Sequence, residues 1–449
     1  RTSRSKRADR QMLMPHRQQG QSLLVLVVLL GALLSALWWT TEAGSAVNEK
    51  QRLANAADAA ALSAAVWQAR ALNFDAYTNR AIVANEAALA QSVSLRSWSS
   101  HMTRLLPGAA LVTAWVPYLN SAMMTLQRLW HHIDAALQPS LMTLEATTSL
   151  VSHDIAAAQR VMHLGTAAVV PAIVRESLAE TDPRYRLSTG GEAAAAVWAT
   201  EWLRFASFYG GSFRWRQRDV VHRSLDGFSS DRRYTLSPLL GTSLVRFEKR
   251  GGTELVDFDN WRGLDTLSLH ARRGILFGSL RERTPVAWGG AESGQASLSR
   301  GEHGDSYRRN PRASRLADRA VRRSAGYLGL PSLYDLSAAQ RERFAPPRIL
   351  VRVTLDDSAR RGAKALLGFA SVPTLAGSEQ RLEGSAPRWF AESAATTPFE
   401  RPHPRSDGAQ ELPSLFSPFW RARLVNLTSD ERIRLATIDG APLWLAVAP

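Results

Sequence analysis

LLVLVVLLGALLSALWWTTEAGSAVNEKQRLANAADAAALSAA, residues 23–65, decides how this chain is read. Its first part, Leu23 to Trp39, is apolar and without charge. At 1.5 Å per residue it spans roughly 26 Å, just short of a ~30 Å hydrocarbon core, and Ser22 and Thr40–Thr41 can extend it. Trp38 and Trp39 suit the far membrane interface, where an amphipathic ring is at home. The second part is dominated by alanine and follows with no Pro or turn cluster between. One helix is therefore expected to leave the membrane and continue. At 100° per residue, Leu53, Ala57, Ala60 and Ala64 fall within about 60° of each other, and Asn55, Asp58 and Leu62 lie opposite. High helix propensity explains the alanine but not this segregation of faces. The smooth face is expected to be a packing surface and the Asn55/Asp58 face polar, since small residues let another helix approach closely.

Outside this stretch, charge sets the topology. Arg1, Arg4, Lys6, Arg7, Arg10 and Arg17 crowd the residues before the apolar run, while Glu42, Glu49, Lys50 and Arg52 after it are mixed. The positive-inside rule then puts the basic arm (1–20) in the cytoplasm, a single transmembrane helix at 21–41, and the rest outside. The rival is a cleaved signal peptide with a small-residue site near Gly44-Ser45-Ala46; the run is longer than the usual core of such a peptide, which favours the uncleaved anchor.

The 449 residues carry a net charge of +15, almost all of it Arg, and no cysteine. Disulfide scaffolds, thiolate metal sites and cysteine nucleophiles are excluded. The expected fold class is α+β: a helical stalk over 42–182, in which Pro139 and Pro171 punctuate 117–180 into two or three helices, then an extracytoplasmic α+β domain over 183–449. Within that domain GEAAAAVWATEWLRFASF reads as a helix and RILVRVTL (348–355) as the clearest strand. Gly251-Gly252 between two β-prone runs signals a hairpin. Residues 289–326 and 373–413 read as long loops, LFSPFWRARLV as a turn ending in a helix, and APLWLAVAP as apolar enough to dock.

No catalytic constellation emerges, and no cofactor or metal is expected. The ten histidines include no HExxH spacing, and His131-His132 point about 100° apart on a helix. VRVTLDDSAR is similar to the metal-binding DxSxS loop of von Willebrand A domains, but Arg360 stands at the fifth position; Asp356 and Ser358 are read instead as a turn or cap. HGDSYRR (303–309) lacks the strand that an esterase nucleophile block needs. The Arg308–Arg323 cluster is read as a solvated helix face, and nucleic acid is not expected as a partner.

RQQGQSLLVLVVLL (17–30), followed by LANAADAAALSAA (53–65), resembles the N-terminus of the TadE/TadG-like proteins of the tight-adherence (Flp) pilus system. NFDAYTNRAIVANEAALAQ (73–91) and SLFSPFWRARLV (414–425) resemble the long members of that group. The resemblance implies a pilin-like, single-pass inner-membrane protein that assembles or anchors Flp pili, with pilin-like or other assembly proteins and membrane lipids as partners. Type IV pilins are cut after a Gly with Glu at the fifth mature position; after Gly20 that position is Val25, so cleavage there is not expected. The alternatives are a membrane-tethered periplasmic enzyme or binding protein, and a secreted adhesin.

Overall fold

Between Pro15 and Pro107 the sequence contains no proline, and the chain uses that freedom fully. In the computed structural model, which describes residues 21–208, 214–237, 245–272, 280–295, 304–355 and 389–440, α1 (Gln21–Val112) is one helix of 92 residues. At 1.5 Å per residue it is roughly 140 Å long. A turn at 113–116 reverses the chain into α2 (Pro117–Thr181), which packs antiparallel along α1.

Residues 117–181 form one helix, not the two or three expected. Pro117 occupies the first turn, where its missing N–H costs nothing, but Pro139 and Pro171 lie inside. The reason is tertiary. Every third or fourth residue from Glu145 to Leu178 is buried, as are Asp134 and Gln138 before them, giving a stripe against α1 that outweighs two lost backbone hydrogen bonds.

Eleven strands and seven short helices follow among the described residues. β1 (Tyr185–Leu187), β9 (Ile349–Leu355), β10 (Phe390–Thr396) and β11 (Arg423–Val425) form an antiparallel sheet in the order β1-β9-β10-β11. β3 (Tyr234–Leu236), β4 (Val245–Val256), β5 (Asn260–Ala271), β6 (Arg281–Gly294) and β7 (Arg322–Ser324) form a second sheet in chain order, with only β6–β7 parallel. β2 (Ala206–Phe208) and β8 (Tyr334–Leu336) pair separately. The helices are α3 (Thr189–Phe205), capped by Ser188; α4 (Arg214–Arg223); α5 (Gly227–Ser230); α6 (Gly304–Arg309); α7 (Pro311–Arg319); α8 (Ala338–Glu342); and α9 (Ser429–Ile438). Thr428 and Glu431 close a capping box on α9.

Several expectations are corrected. Gly251 and Gly252 lie within β4 and are not its turn; the β4–β5 reversal falls at Asp257 and Phe258, both at positive φ. A Cβ on Gly251 would meet the Asp265 carboxylate at 2.4 Å, so the glycine serves close approach across the pair. Residues 289–326 are not a loop: they contain the end of β6, α6, α7 and β7. β10 occupies part of 373–413. LFSPFWRARLV ends in a strand, β11, because it closes the edge of the first sheet beside β10. Asp356, Ser358, Gly20, the basic arm and APLWLAVAP lie outside the described residues.

The boundary near 182 separates helices from sheets in sequence but not in space. Residues Leu53 to Leu72 of α1 lie in one core with the β9–β10 sheet, α3 and the end of α2. Val83 to Val93 lie in a second core with Leu255, Trp261 and Ala291 of the five-stranded sheet. The stalk is the spine of the head.

Candidate functional site

Two stretches of α1 separate cleanly by exposure. From Leu23 to Trp39 every large apolar side chain is between 51% and 67% exposed, on all faces of the helix. A helix apolar all round and uncovered is suited to lipid, not water. Ser35, Thr40 and Thr41 bond back to carbonyls of the preceding turn, so their hydroxyls need no water. Trp38 and Trp39 close this span. A second stretch long and apolar enough to cross a membrane lies in α2, but there part of the stretch is buried in the protein.

About two to three turns past the span's last flanking residues, Thr40 and Thr41, the helix meets the head. Glu49 pairs with Arg184 at 2.8 Å, and Leu53, Ala57, Ala60 and Ala64 are fully buried. What covers these four residues is this chain's own head: the core shared with Trp198, Trp202, Val351 and Val353. Their face is not open to a second, pilin-like helix in this conformation. The physical reason is that methyl-sized side chains permit close approach by a sheet and by aromatic rings as readily as by a helix. Asn55 and Asp58 are exposed on the opposite side.

Beyond the alanine face, α1 is pinned by polar side chains. Gln68 donates to the Pro347 carbonyl and to Thr397, and accepts from the Trp198 indole. Asn73 donates to the Trp420 carbonyl and accepts from its N–H. Asn79 donates to the carbonyls of Tyr334 and Leu415, and Arg80 to that of Phe416. The two stretches singled out on resemblance, 73–91 and 414–425, therefore hold each other. The sequence alone does not mark Gln68 and these partners as site residues. The available signal was a polar residue on the buried stripe of a helix otherwise lined by alanine.

Further along, the interface becomes charged. Asp265 on β5 receives Arg232, Lys249 and the Ser97 hydroxyl. Burial alone would raise its carboxyl; the neighbouring Arg232 and Lys249 outweigh that and hold it well below the usual carboxylate range. Burial, then Lys249, pushes His101 down to about 3. Arg96 and Glu145 form a fully buried ion pair at 2.8 Å joining α1 to α2. Glu86 accepts from the Trp261 indole and the Tyr327 hydroxyl, and burial pushes it up to about 7 against both bonds. Gly263 and Gly289 let the helix backbone lie on the strands: a Cβ on Gly289 would meet the His101 nitrogen at 2.3 Å. Among the described residues no group of three or more His, Asp or Glu could hold a metal ion. His131 and His132 are exposed. Arg322 of the basic cluster pairs with Asp134 at 2.6 Å.

The geometry defines a class: a mixed helix-and-sheet protein whose bare apolar N-terminal helix runs without a break into a head it helps to build. Residues 20–69 match the Tad family model, Flp pilus-assembly TadE/G-like. The chain thus carries a TadE/G-like segment, which covers the exposed span, the alanine face and the first polar pin, Gln68, and stops short of Asn73, Asn79 and Arg80. No curated protein and no solved structure matches the chain.

Proposed function

We propose that this protein is a non-enzymatic inner-membrane component of Flp pilus biogenesis, with its N-terminus in the cytoplasm and its head in the periplasm. The observation that carries this reading is the exposed apolar segment Leu23–Trp39 at the start of the TadE/G-like match. Pilin-like or other assembly proteins would meet the protein in the bilayer through this span, because the alanine face is already occupied by the head. Trp38 and Trp39 would sit at the periplasmic interface. The polar face at Asn55 and Asp58, exposed just above the membrane, is free for a second contact. Nucleic acid has no place in this scheme.

Replacing Leu29 and Leu33 by Arg tests it. Each change moves a central position by about 3 kcal/mol against insertion. The expected outcome is loss of the protein from carbonate-washed membranes together with loss of surface pili. Normal piliation with the variant in the soluble fraction would refute the proposal.

A further inference from the structure

The far end of the helical pair carries a second apolar surface. Residues 105–127, LLPGAALVTAWVPYLNSAMMTLQ, contain no Asp, Glu, Lys, Arg or His. They form the last turns of α1, the reversal and the first turns of α2. Leu111 is 77% exposed, Trp115 83% and Tyr118 87%, and Leu119, Met124 and Leu129 are at least half exposed. The apolar side chains point outward around the tip, not toward one groove.

Four features fit a lipid layer. The first is depth. Along the chain from the apex near Ala114–Trp115, the first cations are Arg104 on α1 and Arg128 on α2, each ten to thirteen residues away, or roughly 15–20 Å. Half of a ~30 Å hydrocarbon core is about 15 Å, so the uncharged cap has the depth of one leaflet. The second is the rim. Arg104 and Arg128 lie at matching levels on the two helices, where headgroup phosphates would sit. The third is aromatic: Trp98 and Trp130 pack edge-to-face at 5.3 Å, and Arg104 lies 5.8 Å from the Trp288 ring, giving a Trp belt beside the rim. The fourth is the backbone. In the reversal, Thr113, Ala114 and Val116 donate to carbonyls of the same turn, and Asn120 donates to the Ala110 carbonyl. The hydroxyls of Thr113, Ser121 and Thr125 also bond to local carbonyls. Lipid favours such internal pairing; of the reversal's N–H groups only that of Trp115, at the apex, makes no such bond.

We propose that this hairpin tip inserts into one leaflet of an anionic lipid bilayer. Trp39 and Thr113 are separated by roughly 110 Å of helix. The tip therefore engages a lipid surface other than the one crossed by Leu23–Trp39, and the protein bridges two membranes. This goes beyond the role in pilus assembly and rests, of that reading, only on the anchor through Leu23–Trp39.

The test uses the full chain, reconstituted through its N-terminal span into nanodiscs. These are mixed with protein-free vesicles of phosphatidylcholine and phosphatidylglycerol and floated on a density gradient. Wild-type nanodiscs are expected to rise with the vesicles. Trp115→Asp with Tyr118→Asp, at positions exposed enough to leave the fold intact, should cut capture by about tenfold or more. Arg104→Gln with Arg128→Gln should weaken capture by phosphatidylglycerol vesicles selectively. No flotation of the wild type, or equal flotation of the Asp variant, overturns the proposal. So does pairing of nanodiscs without vesicles that the Asp variant abolishes, since a second copy would then cover the tip. Failure to enter nanodiscs would instead count against the N-terminal anchor.

Discussion

Glu86 shows how one buried group can set the pH response of the whole head. The folded state keeps its proton up to about pH 7, whereas an unfolded glutamate releases it near 4.5. Between those values folding takes up a proton, so stability falls as pH rises through the window. His163, stacked between Trp202 and Tyr334, acts in the opposite sense. Burial lowers it to about 4, so the unfolded chain binds the extra proton and stability falls as pH drops from 6.5 toward 4. The Glu86→Gln variant keeps an acceptor for Trp261 and Tyr327 and removes the ionisation. The difference in unfolding free energy between pH 5 and pH 8 should then shift by about 2–3 kcal/mol in favour of pH 8. Chemical denaturation at the two pH values reads it. An equal effect of the substitution at both would mean that Glu86 is already ionised in the fold at pH 5.

At the scale of the element, the segregation of the alanine face from the Asn55/Asp58 face was legible because period is a local property of a helix. What covers the alanine face was not legible, because alanine carries no chemistry that distinguishes a neighbouring helix from a sheet. The same division runs through the fold. β9 and α3 could be read from alternation and composition, and the continuity of α1 up to Pro107 from the absence of proline; its last turns, from Pro107 to Val112, could not. The single helix α2 could not, since only its contact stripe with α1 overrides Pro139 and Pro171. Gly251-Gly252 looked like a turn because the sequence does not show Asp265 lying against it. The alanine face now yields a sharper prediction. Ala60→Leu should destabilise the head by about 1–3 kcal/mol through overpacking, while Asp58→Leu on the exposed side should change it by less than about 0.5. Thermal unfolding of the detergent-solubilised protein measures both. If Ala60→Leu leaves unfolding unchanged but abolishes partner capture, the face is open to partners in the cell and the closed arrangement is not the working one.

For the whole molecule, the consequence of one unbroken helix is mechanical. Glu49 is tied to the head through Arg184, and Trp39 is the last of the span, so residues 40–48 carry the link between bilayer and head. A helix resists bending because each turn is held by several hydrogen bonds, so a pull or tilt at the span reaches the head with little loss. Val47, 66% exposed, is the place to interrupt it. Val47→Pro removes one backbone donor and crowds the carbonyl four residues back. Membrane insertion and the melting of the head should be unchanged. The orientation of the head relative to the bilayer should broaden, measured as the spread of rod angles in electron micrographs of the nanodisc-held protein, and piliation should fall. Because the chain has no cysteine, a single Ser121→Cys label marks the distal tip in the same particles. A spread of angles equal to wild type would mean that the head is held at the membrane by contacts other than the helix, and the rigid link would have to be abandoned.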